Sequence, residues 1–394
     1  MKNLIAKRMD GLLIDSNLPV YDPFGFEGLK GKLQAINLGE GWSPEHPIPR
    51  HIRDAAGKAV NKHLHYLPFG LGELKKAIAR KLWEDHQVEY DPGREILITT
   101  GGIEAEHLII LTMISAGDEV MMTDPGYRHS YEPNVQLVGG KMVYIPIREK
   151  RSFKLDPRDV VNKISRATKM LILISPDNPT GAVIELEDLK RLAEIADKAN
   201  LLILSDEVFR GMVYDGKKAP SIVSFPGMKK RTFIVDSFSK SWNMAGFRIG
   251  YVAAPREYLV LMANLQIHVT TSVSGISQAA ALAALEGPKD WITHAVQEYQ
   301  MRRDRLVDGL NQIDGIRCLK PEGGRCAFPN ISALGIRTLD FASLLLREKS
   351  VSIIPTVEKH YGANAKKYCK IGFCKPLSQI DEGLERIKDL VNRL

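Results

Sequence analysis

The sequence predicts an α/β protein with a mainly parallel seven-stranded sheet, helices on both faces, and a smaller α+β domain beside it. Length is the first reason: at roughly 150 residues per domain, 394 residues make two or three domains with a large buried core. The second is a series of short runs rich in Ile, Leu, Val and Met: Glu95–Thr100, Glu119–Thr123, Lys141–Ile147, Met170–Ser175, Leu201–Asp206, Thr232–Phe238 and Arg248–Pro255. Nearly continuous apolar content of this kind belongs to strands covered on both faces. Their spacing is the third, since successive runs start 16 to 31 residues apart, mostly room for one crossover helix.

Taken in order, the first 45 residues show little periodicity and are expected to pack on the second domain or on a neighbouring subunit. Residues 48–285 form the large domain. Within it, Gly101-Gly102-Ile103-Glu104 opens an apolar helix running through Ala116, and Leu189, Leu192, Ala193 and Ala196 mark a crossover helix over Leu186–Ala199. Residues 1–47 and 286–394 make up the smaller domain. There a long charged helix over 290–312 (Trp291, Val296, Tyr299, Leu306, Leu310) precedes strand-like pieces at Ile316–Leu319, Arg325–Pro329, Val351–Pro355 and Tyr368–Phe373. Further helices are expected at 338–349 and 377–393.

Composition narrows the function. The chain has 54 Lys plus Arg against 47 Asp plus Glu, net +7, but acids and bases alternate and the basic runs are short, so no nucleic-acid partner is expected. No apolar run reaches the ~20 residues of a membrane span, and Met1–Arg8 lacks a signal-peptide core, which makes a cytoplasmic protein the expectation. Cys318, Cys326, Cys369 and Cys374 match neither a zinc nor a CxxC spacing, and no metal is expected.

Chemistry concentrates where the predicted strands end, the functional edge of such a sheet. Ser237-Phe238-Ser239-Lys240 presents a lysine among hydroxyls, and Arg248 follows eight residues later. A surface Lys-Ser loop is the alternative for this segment alone, but a lysine here can form a Schiff base with a carbonyl, and Ser237, Ser239 and the donor fork of Arg248 can hold a phosphate beside it. That combination describes pyridoxal 5'-phosphate. Gly101-Gly102 at a helix start adds backbone N–H donors for the phosphate. Asn178, in Asn178-Pro179-Thr180-Gly181, is placed to donate to the ring oxygen O3′, across an Asn–Pro bond with cis potential. Asp206 ends a buried strand and needs a partner, which a pyridinium nitrogen supplies. Tyr127, in Asp124-Pro125-Gly126-Tyr127, offers a ring to stack on the cofactor. His63, His65, His107 and His129 make no ligand cluster, although His129 lies two residues past Tyr127.

These motifs resemble the class I/II aminotransferase family of fold-type I pyridoxal-phosphate enzymes, aspartate aminotransferase-like. The likeness runs from Ile36-Asn37-Leu38-Gly39-Glu40-Gly41 to the C-terminal helix. Its most specific parts are Asn-Pro-Thr-Gly (178–181), Asp206-Glu207 and the stretch 237–251. It implies that Lys240 is the Schiff-base lysine, Asp206 the ring-nitrogen partner and Asn178 the O3′ donor. It likewise implies that Tyr127 stacks on the ring, that Gly102, Ile103, Ser237, Ser239 and Arg248 hold the phosphate, and that Gly39 and Asn178 border the substrate. Tyr66, ahead of Gly70-Leu71-Gly72, resembles the tyrosine that reaches the phosphate of a neighbouring subunit, which implies a homodimer with composite sites.

Two departures bear on mechanism. The family commonly has a tyrosine three residues after the aspartate, where this chain has Phe209. Relatives also carry an arginine that forks the substrate α-carboxylate, where Tyr368-Cys369-Lys370-Ile371-Gly372-Phe373 supplies Lys370. Either Lys370 or Arg325, in Gly323-Gly324-Arg325-Cys326, is then the carboxylate cation. The usual Pro-Gly-x-x-Phe-Gly loop is altered to Pro355-Thr356-Val357-Glu358-Lys359-His360-Tyr361-Gly362. The expected reaction is transamination between an amino acid and a 2-oxo acid. A lyase, cyclase or oxidase on the same scaffold is the alternative, and a non-catalytic regulatory protein the more distant one.

Overall fold

A computed structural model describes residues 35–39, 47–62 and 65–394. Seven strands form the central sheet: β2 (Ile96–Thr99), β3 (Glu119–Asp124), β4 (Lys141–Pro146), β5 (Thr168–Ile174), β6 (Leu202–Asp206), β7 (Thr232–Ser237) and β8 (Gly250–Ala253); β1 (Ile36–Asn37) lies elsewhere. Each of the seven predicted runs contributes one of them. Their spatial order is β2-β8-β7-β6-β5-β3-β4, and β8 alone runs antiparallel to its neighbours. The central strands are apolar because helices cover both faces: every residue of β7 is buried, as are the last five of β5.

Helix boundaries follow local chemistry. The crossover helix Leu186–Lys198 buries Leu189, Leu192, Ala193 and Ala196, the predicted stripe. The Gly101-Gly102 helix stops at Met113, short of the expected Ala116, where Ile114 turns extended and the chain enters Gly117 at φ +91°.

The C-terminal part is built around the helix Asp290–Leu310, which packs against Leu377–Val391 over its own apolar core of Leu306, Leu310, Phe341, Leu345, Ile380 and Ile387. A three-stranded antiparallel sheet, β11-β12-β9, joins β9 (Cys326–Ala327), β11 (Ile354–Pro355) and β12 (Cys369–Gly372). β1 pairs in parallel with β10 (Val351–Ser352), so residues 36–37 pack on the C-terminal part as expected. Most of the N-terminal segment, with Glu40-Gly41 and His63, lies outside the described residues. Ile316–Leu319 is not a strand: a single bridge from Arg317 to Asn330 forms, and Asn311 satisfies the backbone of Cys318 instead. No helix among the described residues is long and apolar enough to cross a membrane.

Candidate active site

The sheet order lines the predicted residues up along one edge. Gly101 follows β2, Arg248 precedes β8, Lys240 follows β7, Asp206 ends β6, Asn178 follows β5 and Tyr127 follows β3. Because β8 is antiparallel, its amino end lies where the others have their carboxyl ends, and Gly250 pairs with Ser237.

At the β2–β8 end the backbone is cleared for a close approach. Gly101 has φ +76°, and a Cβ there would lie 2.7 Å from Arg248 Nη2; one on Gly250 would lie 2.8 Å from the Gly101 carbonyl carbon. Arg248, itself at φ +50°, thus lays its guanidinium against the N-terminus of the helix that starts at Gly101. Ser237 Oγ donates to the Ile249 carbonyl (3.2 Å), sits 2.9 Å from Ser239 Oγ and accepts from the Ser239 N–H at 3.1 Å. Gly102 is buried, whereas Ile103 is exposed on the outer side of the same turn. Tyr66 is 75% exposed.

In the middle of the edge, Asp206 is buried; it accepts from the Tyr131 hydroxyl (2.6 Å) and from the Val208 N–H (3.1 Å). Burial, with the charges of Asp236 and Glu207, still pushes its carboxyl up to about 6. Glu106, on the helix Gly101–Met113, is a second buried carboxylate here, with Oε2 unpartnered; burial first, and then the charge of Asp206, hold it protonated. Sequence reasoning passed over Glu106. The available signal was a charged residue within the apolar run Ala105–Leu111. Glu207 points away from the site, ion-paired to His86 (3.1 Å) and accepting from Ser205 and Ser221, contacts that hold it down at about 2 despite burial.

Lys240 is half-buried with Nζ 5.6 Å from the centre of the Phe209 ring. Desolvation, then the charges of Arg325 and Lys370, lower its amine to about 8. The turn at 178–181 contains a cis Asn178–Pro179 bond and is anchored by buried Asp177, which accepts from the Thr180 hydroxyl (2.5 Å) and N–H (3.2 Å).

Lys370, on β12, is 7% exposed and donates to Asn178 Oδ1 at 2.9 Å. That bond leaves the Asn178 amide nitrogen for another acceptor. Burial works against its charge, but the electronegative groups of Tyr361, Cys326 and Tyr127 around it outweigh burial and hold the ammonium above the ordinary lysine range. Arg325 lies just before β9 with its donors mostly turned toward the Lys240 loop. Gly39 sits beside Ile354 of β11, next to a Leu38 carbonyl that accepts from Gly372. Tyr127 is flanked by His129 (ring centres 5.3 Å apart), which stacks on His360 at 4.2 Å. Burial, reinforced by His360 and Lys370, lowers His129 to about 3, so it is neutral. No cluster of three or more metal-ligating side chains occurs among the described residues.

A lysine, a buried aspartate, an asparagine turn and a glycine-cleared anion cradle along one edge of this sheet define the fold-type I architecture. The family model for aminotransferase class I and II matches residues 34–387, and the chain belongs to that family. It is 36% identical over 391 residues to an aspartate aminotransferase of Geobacillus stearothermophilus, covering 97% of this chain and 98% of that one. It is 33% identical over 371 residues to an aromatic-amino-acid aminotransferase of Thermococcus litoralis, covering 93% and 92%. Among solved structures, the aspartate aminotransferase of Rhizobium meliloti superposes with a TM-score of 0.91 at 30% identity over 99% of both chains. The protein is an aminotransferase.

Proposed function

We propose that the chain uses pyridoxal 5'-phosphate, held along the sheet edge, to move an amino group between an amino acid and a 2-oxo acid. The observation that carries the reading is the juxtaposition of half-buried Lys240 with buried Asp206, one strand apart on that edge. A phosphorylated pyridine aldehyde fits these residues. Gly101 and Gly250 let the Arg248 guanidinium and the helix N-terminus come together; the phosphate would lie against them and against Ser237 and Ser239, with Gly102 and Ile103 giving N–H donors. Asp206 would meet the ring nitrogen, Tyr127 the ring face, and the Asn178 amide the ring oxygen. When bound, the cofactor supplies an electron sink for the substrate carbon that bears the amino group.

The protein's part is binding and proton transfer. Lys240 Nζ would hold the cofactor through its aldehyde and, once free, would carry the proton that leaves the substrate Cα; an amine lowered to about 8 can both take and give that proton. Asp206 keeps the ring nitrogen protonated. Lys370 receives the substrate α-carboxylate as a point charge, without the planar fork of an arginine. Lys370 is favoured over Arg325 for this role because Arg325 already spends its Nε and Nη2 donors on protein groups. Gly39 borders the same space.

The reading treats the chain as two units dividing near residue 285, and as a homodimer in which Tyr66 completes the partner's phosphate site. Support for the dimer is apolar surface: Val60, Tyr66 and Phe69 are exposed, as are Ile103 and, on the helix Arg256–Val269, Val260, Leu261 and Val269. Mixing inactive Lys240→Ala chains with weakened Tyr66→Phe chains should restore activity, because each mixed dimer holds one intact site; no restoration would sink the composite site.

The chemistry is tested by adding single amino acids to the cofactor-loaded protein. Conversion of the cofactor to its amine form, with one oxo acid released per site, supports transamination. Ammonia release without that conversion overturns it in favour of elimination.

A further inference from the structure

Arg325 is the most buried cation next to the lysine, at 2% exposure. Its Nη2 donates to the Lys240 carbonyl and, at 3.0 Å, to Asn243 Oδ1, while Nε lies 3.1 Å from Met212 Sδ. The Lys240 carbonyl also accepts from the Asn243 N–H at 3.2 Å, so both ends of the turn after Lys240 are tied to one guanidinium. Arg325 is itself fixed from both sides, by Phe373 of the C-terminal part and by Met212 and Tyr214 beyond β6. Its carbonyl accepts from the Phe373 N–H at 3.1 Å, the Gly324 N–H donates to the Met212 carbonyl at 2.9 Å, and the Tyr214 hydroxyl donates to the Gly324 carbonyl. The guanidinium carbon stands 5.0 Å from the centre of the Tyr299 ring, and among the described residues Nη1 has no hydrogen-bond partner. Among the described residues no carboxylate forms an ion pair with it.

We infer that Arg325 is a positioning residue for Lys240, holding the lysine-bearing loop against the C-terminal three-stranded sheet and placing an unpaired positive charge beside its amine. The inference rests on the reading of Lys240 as the amine that bonds the cofactor. Around that amine stand Arg325, Lys370 and the thiols of Cys326 and Cys374, besides the Phe209 ring. Burial raises both thiols, which leaves them neutral, so the charged neighbours are two cations. Two cations in a desolvated site disfavour a third charge, and the amine sheds its proton more easily. Movement of the C-terminal sheet would therefore shift the lysine and its basicity together.

The test uses the protein freed of cofactor, with pyridoxal, an aldehyde lacking the phosphate, as probe. The rate of capture is followed against pH, trapped with borohydride and located by peptide mass; hydrogen exchange of residues 238–244 is measured alongside. In the parent protein the label should fall on Lys240 with a midpoint near pH 8. Arg325→Met should raise the midpoint by about one unit, about tenfold slower capture at pH 7, and speed exchange across 238–244. Arg325→Lys should keep the midpoint, having kept the charge, and still speed exchange, having lost the fork. Label on Lys240 with an unmoved midpoint and unchanged exchange in Arg325→Met overturns the inference alone. Absence of label from Lys240 in the parent defeats the cofactor reading itself. Should Arg325→Met not fold, exchange in Arg325→Lys decides: faster supports the tie, unchanged refutes it.

Discussion

The two walls of the site are made differently. On the seven-stranded sheet, each working group is the last residue of a strand or lies within a few residues of a strand end, so the hydrogen-bonded ladder that orders the sheet also orders Asp206, Ser237 and Asn178. On the three-stranded sheet the strands have two to four residues; Lys370 lies on β12 and Arg325 just before β9, and both bond across to the first wall, Lys370 to Asn178 and Arg325 to the Lys240 loop. The first wall is thus ordered by backbone hydrogen bonds between strands, and the second is tied to it through side chains.

Substitutions on the first wall should therefore strike the chemical step. Lys240→Ala should lower kcat by about 10³-fold or more and abolish any borohydride-stable link to the cofactor. Asp206→Ala should cost about 10²-fold in kcat through the lost partner of the ring nitrogen. On the second wall, Lys370→Ala should raise KM for the amino acid by about 10- to 100-fold, the value of one charged hydrogen bond of ~1.5–3 kcal/mol, with a smaller loss in kcat. A larger effect on kcat than on KM would erase the contrast between the walls.

Two smaller effects sharpen it within the first wall. Phe209 stands where the family commonly has a tyrosine, and Phe209→Tyr would add a donor near Lys240 and the ring oxygen. By stabilising the deprotonated form, it should lower the pH at which the bound cofactor changes absorbance, by about one unit. An upward shift or none would show that Phe209 does not face that oxygen. Glu106 is held protonated in the fold, above the ordinary glutamate value of 4.5, so the unfolded chain ionises first as pH rises. Stability should then fall with pH above about 4.5, and Glu106→Gln should remove that slope. Thermal melts of the cofactor-free protein should show the variant more stable at pH 8 and equal at pH 4; parallel curves would contradict the protonated state.

Legibility in the sequence divides along the same line. Lys240, Asp206, Asn178 and Arg248 stand out because each follows or precedes a strongly apolar strand and is of a type that burial makes costly without a partner. Glu106 escaped because a single acid in an apolar helix does not reveal which strand end it faces; its neighbours Tyr131 and Asp206 are 25 and 100 residues away in the chain. Lys370 and Arg325 were both visible as cations near short strands, but nothing in their spacing separated them. Their roles diverge through contacts 192 and 85 residues distant in sequence, with Asn178 and Lys240.

What the sequence determined by itself is the sheet and which residues end its strands, since apolar runs of strand length and the residues that end them are local patterns. The tertiary structure decided which cation meets Asn178, which one grips the Lys240 loop, and that two buried acids share one space. Those outcomes depend on long-range packing and on desolvation, which no local pattern encodes: a charge acquires its value only once the fold has chosen its neighbours and removed its water.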